Sequence, residues 1–512
     1  MQDIENELYL LSSDRVEATS KIIDLISRFQ LAMQQGEKPS KNVITAFKPI
    51  HSLVREVMKK MKKARKQKRG ERRKARHAAD AKLKTNCGIR KLRASLAQNS
   101  VKLLENTGHP LLQRDGLNSA RHCYICKKIT SEIHSFYDAM CISCGDFNFM
   151  KRKQTANLQD RICLVTGGRI KIGYQIVLKL LQAGASVITT SRFPKDLWTR
   201  FSKEVEFPSF SQRLQVYGLD CKNVLAVESF AQLLLAKLPY LDILINNAAQ
   251  TIRRPPIFYQ HLLQAETKEE TVPNVITFDT AVKDLVSVEP AQQMTLDCNN
   301  HSLLHQSALS TQQVFLEEDK KGFYGPEMFP EGRYDADGQQ LDLRPDNTWT
   351  KKLTDISTVE MLETLVVNAA TPFVLCSKLA PLLTVNRENR KTHGYIINVS
   401  AMEGVFNAMK KATHPHNNMS KAALNMLTRT CGMDYAQHKV FVNAVDPGWV
   451  SDNYSNDSSE NKSSNFHPPI DTEDGAARVL DPIFTDINAF PESSATTPPF
   501  GLLFKDYHKN DF

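Results

Sequence analysis

The sequence predicts an α/β fold: a doubly wound parallel sheet, preceded by a helical basic arm and a small cysteine-rich module. Three observations predict it. From residue 160 onward short β-branched runs alternate with longer helical ones. Repeated strand–helix–strand order means parallel strands joined by right-handed crossovers. Ahead of that body, Cys123, Cys126, Cys141 and Cys144 stand as two CxxC pairs. Further upstream, residues 59–93 hold 17 Lys and Arg against Glu71 and Asp80.

The chain has 512 residues, 24% of them charged and 41% hydrophobic, with a net charge of +10. That balance excludes collagen-like and wholly disordered classes. The basic segment alone carries +15 and the remainder −5, so a mildly acidic body bears one very basic stretch. No run of about 18 uncharged apolar residues stands out, which argues against a membrane span. The acidic start MQDIENELYL lacks the features of a secretory leader. Ten cysteines are too few for a disulfide scaffold. Their pairing points to a reducing compartment, cytoplasmic or nuclear, and to a metal.

The elements follow in order. Residues 1–105 form the arm, with an amphipathic helix over 5–35 (Ile22, Ile26, Phe29 and Met33 at helical spacing) and a Lys-, Arg- and Ala-rich helix over 52–85. Asn106–Gly116 reads as a linker and 118–150 as the cysteine module. The sheet body occupies 158–512. Its strands are RICLVT (161–166), SVITTS (186–191), LQVYGLD (214–220), LDILIN (241–246), YIINVS (395–400) and VFVNAV (440–445). Helices are expected at 172–184, 223–237, 358–384 and 417–436. The periodicity breaks over 251–356, which reads as an insertion, partly ordered, beside the carboxyl edge of the sheet.

Four motifs carry chemistry. TGGRIKIG (166–173) lies on a strand–turn–helix. There glycines let the backbone approach a pyrophosphate held at a helix N-terminus. The paired CxxC units present four thiolates, enough to close a tetrahedral, structural zinc site. His122 and His134 are nearby spares. The second strand ends Thr190, Ser191, Arg192, with no acid for a ribose 2′-hydroxyl and a guanidinium suited to a 2′-phosphate. Arg169 adds a second cation, so NADP is favoured over NAD. The basic stretch KKMKKARKQKRGERRKARH fits nucleic-acid phosphates or a nuclear address. It has no interleaved aromatics for base stacking.

From residue 160 to about 505 the chain resembles the short-chain dehydrogenase/reductase family, as a divergent branch with a cysteine-rich N-terminal extension. The glycine loop matches at Thr166, Gly167 and Gly173, with Ile172 beside them and Lys171 where the middle glycine is usual. The Asn-Asn-Ala motif falls on Asn246, Asn247 and Ala248. Asp220 matches the acid beside the adenine, Asn368 the helix asparagine, and Pro447 and Gly448 the late Pro-Gly. The resemblance implies a Rossmann-like fold, a dinucleotide cofactor and dimerisation through the helices at 358–384 and 417–436.

It also implies a Ser…Tyr-x-x-x-Lys site, and here the sequence departs. Lys421 matches the lysine. Asn417 stands in the tyrosine position and Ala401 in the serine position, with Ser400 one residue early. An amide only hydrogen-bonds and is no general acid. His414 and His416 are candidate replacements for the proton donor, since histidine titrates in the useful range. Two readings stay open. One is an NADP-dependent oxidoreductase on an unknown carbonyl or hydroxyl substrate. The other is a catalytically silent NADP-binding scaffold or sensor, associated with RNA or DNA through its arm.

Overall fold

The computed structural model describes residues 15–36, 41–97, 116–266, 274–276, 327–335, 337–385, 387–390, 392–450, 467–489 and 497–512. The chain divides into two compact units, residues 1–83 with 117–119, and residues 84–116 with 120–512.

In the first unit, α1 (Arg15–Gln34) and α2 (Lys41–Thr85) are the described helices. Residues 5–14 of the expected first helix, the side chain of Ile22 and most of the linker lie outside the described residues. Ile26 and Phe29 are half-buried and Met33 is exposed. Lys, Arg and Ala are strong helix formers, which keeps α2 continuous through its charge run. Every residue from 59 to 79 is exposed. Asp80 is buried, accepting from the backbone N–H groups of Asn118 (2.7 Å) and Ser119 (3.1 Å).

The arm ends earlier than residue 105. Helix α3 (Gly88–Ala97) belongs to the second unit, where Gly88 and Ile89 donate their N–H groups to Ser135 and Phe136 carbonyls at 2.9 Å each. The same unit holds the cysteine module: the antiparallel pair β1 (Arg121–His122) and β2 (Ile129–Thr130), then α4 (Ile142–Lys153).

The sheet contains β3 (Ile162–Thr166), β4 (Ser186–Ser191), β5 (Leu214–Gly218), β6 (Ile243–Asn246), β7 (Val275–Ile276), β8 (Gly394–Val399), β9 (Val440–Asp446), β10 (Leu503–Lys505) and β11 (His508–Asn510). Their order is β11-β10-β9-β8-β6-β3-β4-β5-β7. All pairs are parallel except β10–β11. Successive strand residues face opposite layers. Cys163 and Val165 join one core, with α5 (Lys171–Gln182) and, later in the chain, α12 (Thr472–Ala489). Leu164 joins the other. That second core holds Val227, Phe230 and Leu234 of α7 (Val224–Lys237) and Leu375 and Leu379 of α10 (Thr371–Thr384), with α11 (Pro415–Gln437) reaching it through Tyr435. The strand order reverses between β3 and β6, which places the ligand crevice at their carboxyl ends.

Composition alone would let Thr358–Thr384 cross a membrane, contrary to the sequence expectation, but half of that window is buried inside the fold. It comprises α9 (Thr358–Leu365), a π-helical turn over Val366–Ala370, and α10.

The described parts of the insertion pack at the carboxyl edge, as expected. Phe258, Tyr259, Leu262 and Phe329 gather on Phe193, just beyond β4. The carboxylate of Glu266, the last residue of α8 (Gln260–Glu266), accepts from the Lys195 and Asp196 N–H groups at 3.1 Å, at the start of α6 (Pro194–Phe201). Burial pushes the Glu266 pKa up to about 7, against these two N–H donors at the helix start.

Candidate cofactor and active site

Strand β3 delivers Thr166 to the crevice, where its Oγ1 accepts from the Asn247 and Ala248 N–H groups at 3.0 Å each. Gly167 has φ +72°. A Cβ on Gly173 would stand 2.1 Å from the Gly167 carbonyl oxygen, and one on Gly168 2.1 Å from Thr189 Oγ1. Only hydrogen fits at those two positions. Lys171 takes φ +54°, so the left-handed turn survives without its usual glycine, at a cost of roughly 1–2 kcal/mol. Helix α5 opens here with half-buried Ile172.

The Asn246 amide donates to Asn398 Oδ1 at 2.8 Å, between β6 and β8. The neighbouring Asn247 does the lacing: its Nδ2 donates to the Thr166 and Gly167 carbonyls at 3.0 Å each. The sequence motif contained Asn247, but nothing in it said which asparagine faces the loop.

At the end of β4 the two expected cations differ. Arg169 is buried, ion-paired with Asp196 at 2.8 Å, and donates to Gln339 Oε1 at 2.8 Å. Its charge is matched inside the protein. Gln339 is itself buried, and its Nε2 has no partner among the described residues. Arg192 lies over the Tyr259 ring, 4.6 Å from its centroid. Burial opposes its charge, but Tyr259 and Asp220 hold its pKa above the ordinary range. Asp220 is buried and accepts from the Lys222 N–H at 2.9 Å.

The π-helical turn centres on Asn368. Such turns often mark functional positions. Asn368 Oδ1 accepts from the Gln250 N–H (2.7 Å), and Nδ2 donates to the Gln250 carbonyl (3.1 Å) and to Ser420 Oγ (3.0 Å). One side chain thus ties the loop after β6 to α11. Lys421 Nζ donates to the Val399 carbonyl at 2.8 Å. Desolvation pushes its pKa down to about 8, against the opposing carboxylates of Glu403 and Asp446.

Asn417 lies one helical turn before Lys421, on the same face of α11. Its Nδ2 donates to the Thr251 carbonyl at 2.9 Å. His416 is buried, 3.1 Å from the Asn417 amide and 3.8 Å from Glu360. Burial, with His414 nearby, pushes its pKa down to about 4, so it is neutral at neutral pH. His414 stacks flat on Trp349, centroids 4.0 Å apart, and its Nδ1 meets the Trp349 carbonyl at 2.7 Å. It anchors the insertion. Ser400 turns inward, donating to Asn425 at 2.6 Å. Of Asn368, Asn417, His416 and Lys421, only Lys421 titrates near neutral pH.

Pro447 is buried and Gly448 follows at φ +84°, its N–H donating to Asp446 Oδ1 at 2.7 Å. The four cysteine sulfurs lie within 4.8 Å of one another. Cys126 and Cys141 Sγ are 3.8 Å apart, the edge of a tetrahedron with bonds of about 2.3 Å. Lys127, at φ +61°, closes the first knuckle by donating its N–H to the Cys123 carbonyl. The spare histidines are engaged elsewhere: His122 Nδ1 with the Lys127 carbonyl, His134 Nδ1 with the Phe136 and Tyr137 N–H groups. The donor set fits a structural zinc.

The sequence model of the short chain dehydrogenase family matches residues 161–278 and 346–463. An uncharacterized protein of Acanthamoeba polyphaga mimivirus is 30% identical over 387 residues, 73% of this chain and 74% of that protein. An uncharacterized oxidoreductase of Mycobacterium bovis is 31% identical over 111 residues, and one of Thermotoga maritima 37% over 86. These two alignments cover 21% and 17% of this chain, and only 33% and 31% of the relatives. Among solved structures, NADPH-bound carbonyl reductase from chicken fatty liver aligns with TM-score 0.42 and 17% identity, over 71% of this chain and 98% of that one. The sequence matches and the sheet order meet on the same residues, and the chain belongs to the short-chain dehydrogenase family.

Proposed function

We propose that this protein binds NADP(H) and acts as an oxidoreductase on a carbonyl or hydroxyl compound, with a slow proton-transfer step. The observation that carries this reading is the glycine turn, where Gly168 packs on Thr189 and Gly173 on the Gly167 carbonyl with no room for a Cβ, so that the backbone passes tightly from β3 into the N-terminus of α5, where a pyrophosphate would bind. Arg192, directly after β4, fits a 2′-phosphate as a cation whose charge Tyr259 and Asp220 already favour. The unpartnered Gln339 Nε2 beside Arg169 supplies a further donor at that end of the crevice.

When bound, the dinucleotide supplies a hydride. This chain's residues do the rest. Gly167, Gly173 and the N-terminus of α5 bind phosphate. Asn368 holds the Gln250 loop against α11, and Lys421 binds the nicotinamide ribose. With Asn417 in the tyrosine position, Lys421 is the proton source nearest to neutral pH. His416, neutral and buried, does not replace the tyrosine. The cysteine cluster holds one structural zinc, because four protein ligands leave no open position.

Two partners extend the reading. Met419, Met426 and Met433 are exposed at seven-residue spacing on α11, and Phe373 is exposed on α10. This stripe fits a homodimer face. Residues 59–79 of α2 are exposed throughout with Glu71 as the one acid, and this fits salt-sensitive contact with nucleic-acid phosphates.

Calorimetry of the purified protein with NADPH and NADH tests the cofactor assignment. NADPH binding at least ~10-fold tighter than NADH, lost on Arg192→Ala, is expected for a charge-assisted phosphate contact. Equal affinities refute it.

A further inference from the structure

The cysteine module does more than sit beside the sheet. Tyr124, between Cys123 and Cys126, reaches the loop that follows β9. Its hydroxyl accepts from the Trp449 N–H at 3.0 Å. The same oxygen would lie 3.2 Å from a Cβ on Gly448. Gly448 therefore answers two demands, a φ of +84° and room for Ile470, 2.7 Å from such a Cβ, with the Tyr124 phenol just beyond it.

The rest of the module reinforces the contact. Cys123, Tyr137, Met140 and Ile470 form one buried cluster, and Tyr124 and Val450 pack against it. Val450 and Ile470 bracket residues 451–466 in the chain, so both flanks of that segment rest on the module's core. Tyr137 donates its hydroxyl to Asp474 at 2.5 Å, and Arg152 pairs with Asp471 at 2.6 Å, which fixes α4 to the start of α12. Tyr124 itself is held by its own N–H, which donates to the Ala139 carbonyl at 2.9 Å, and by the two cysteines on either side of the knuckle.

We infer that Tyr124 is a positioning residue for the Pro447–Val450 loop, so that metal in the cysteine cluster and NADP(H) at the nicotinamide end of the crevice bind cooperatively. The inference rests on the cofactor reading above. Thermodynamic linkage then makes the coupling reciprocal: what zinc does for the dinucleotide, the dinucleotide does for zinc. The effect is confined to the nicotinamide half. The hydrogen bonds of Tyr124 run to Trp449, Ala139 and Lys127.

The experiment compares wild type with Tyr124→Phe, which keeps the ring and removes the acceptor, using two ligands. NADPH should bind roughly 3–10-fold more weakly to the variant, the worth of one hydrogen bond. Adenosine 2′,5′-bisphosphate, which lacks the nicotinamide, should bind both proteins equally. Saturating NADPH should slow zinc release to a chromophoric chelator in wild type, and less so in the variant. A general loosening of the fold would weaken both ligands together, and that outcome overturns the inference. So does unchanged NADPH affinity in a zinc-replete variant. If wild type binds adenosine 2′,5′-bisphosphate but not NADPH, the cofactor reading stands at its phosphate end and the inference fails. If it binds neither, the cofactor reading falls and takes this one with it.

Discussion

The two ends of the crevice follow different rules. At the glycine loop a side chain has changed and the backbone has not: Lys171 stands in place of a glycine yet keeps φ +54°. At the start of α11 the lysine remains, while Asn417 and Ala401 stand in the positions where the resemblance implies tyrosine and serine. Asn417 braces the Thr251 carbonyl and Ser400 turns toward Asn425. The difference teaches that binding a dinucleotide depends on space and backbone donors, which tolerate a strained residue. Proton transfer depends on a titratable atom, and under the proposed function that role passes to Lys421.

The sharpest way to break the first half of the comparison is Gly173→Val. Its Cβ would meet the Gly167 oxygen at 2.1 Å and the Asn247 amide at 2.5 Å. Dinucleotide binding should fall beyond detection by calorimetry, and retained binding would show that the cradle is elsewhere. Next comes the proton source. Lys421 is protonated below about pH 8 and neutral above it. Carbonyl reduction should therefore fall about tenfold per unit as pH rises past 8, while alcohol oxidation should rise through the same range. A flat profile removes Lys421 from proton transfer.

Smaller effects sharpen the borders of the account. Met426→Glu places a charge in the exposed stripe of α11 and should turn a dimer into a monomer on light scattering, with NADPH affinity little changed. Removing residues 1–83 should abolish retention on an RNA column and its steep decline with salt. Dinucleotide affinity should stay the same. Retention that survives the truncation would place the nucleic-acid contact in the second unit.

Much of this was legible in the sequence, for physical reasons. Strands β3, β4, β5, β6, β8 and β9 are short, mostly buried runs, and each lies within two residues of its expected bounds. The helices α5, α7 and α11 announce themselves by period. Helix α12 was missed although Ala476, Val479, Leu480, Ile483 and Phe484 recur at helical spacing on the core: Pro482 inside it and the buried Asp474, Arg478 and Asp481 break the look of an amphipathic helix. Strands β7, β10 and β11 are too short to show alternation. In the site, residue types were readable but their partners were not. Asn246 and Asn247 are identical letters with opposite directions, and Arg169 reads as a free cation until Asp196 is found beside it. Tyr124 carried no signal, since its partner lies 325 positions away.

The measurement that bears most directly on the central claim is the rate of NADPH oxidation with a panel of carbonyl compounds, for wild type and for the Asn417→Tyr, Ala401→Ser double variant. If the scaffold binds cofactor and lacks only its acid, the double variant should be faster by about 10²–10⁴-fold, with NADPH affinity unchanged. Fast wild-type turnover that the double change slows, or that His416→Ala abolishes, would contradict the account and place the proton donor in the buried pair of His416 and Glu360.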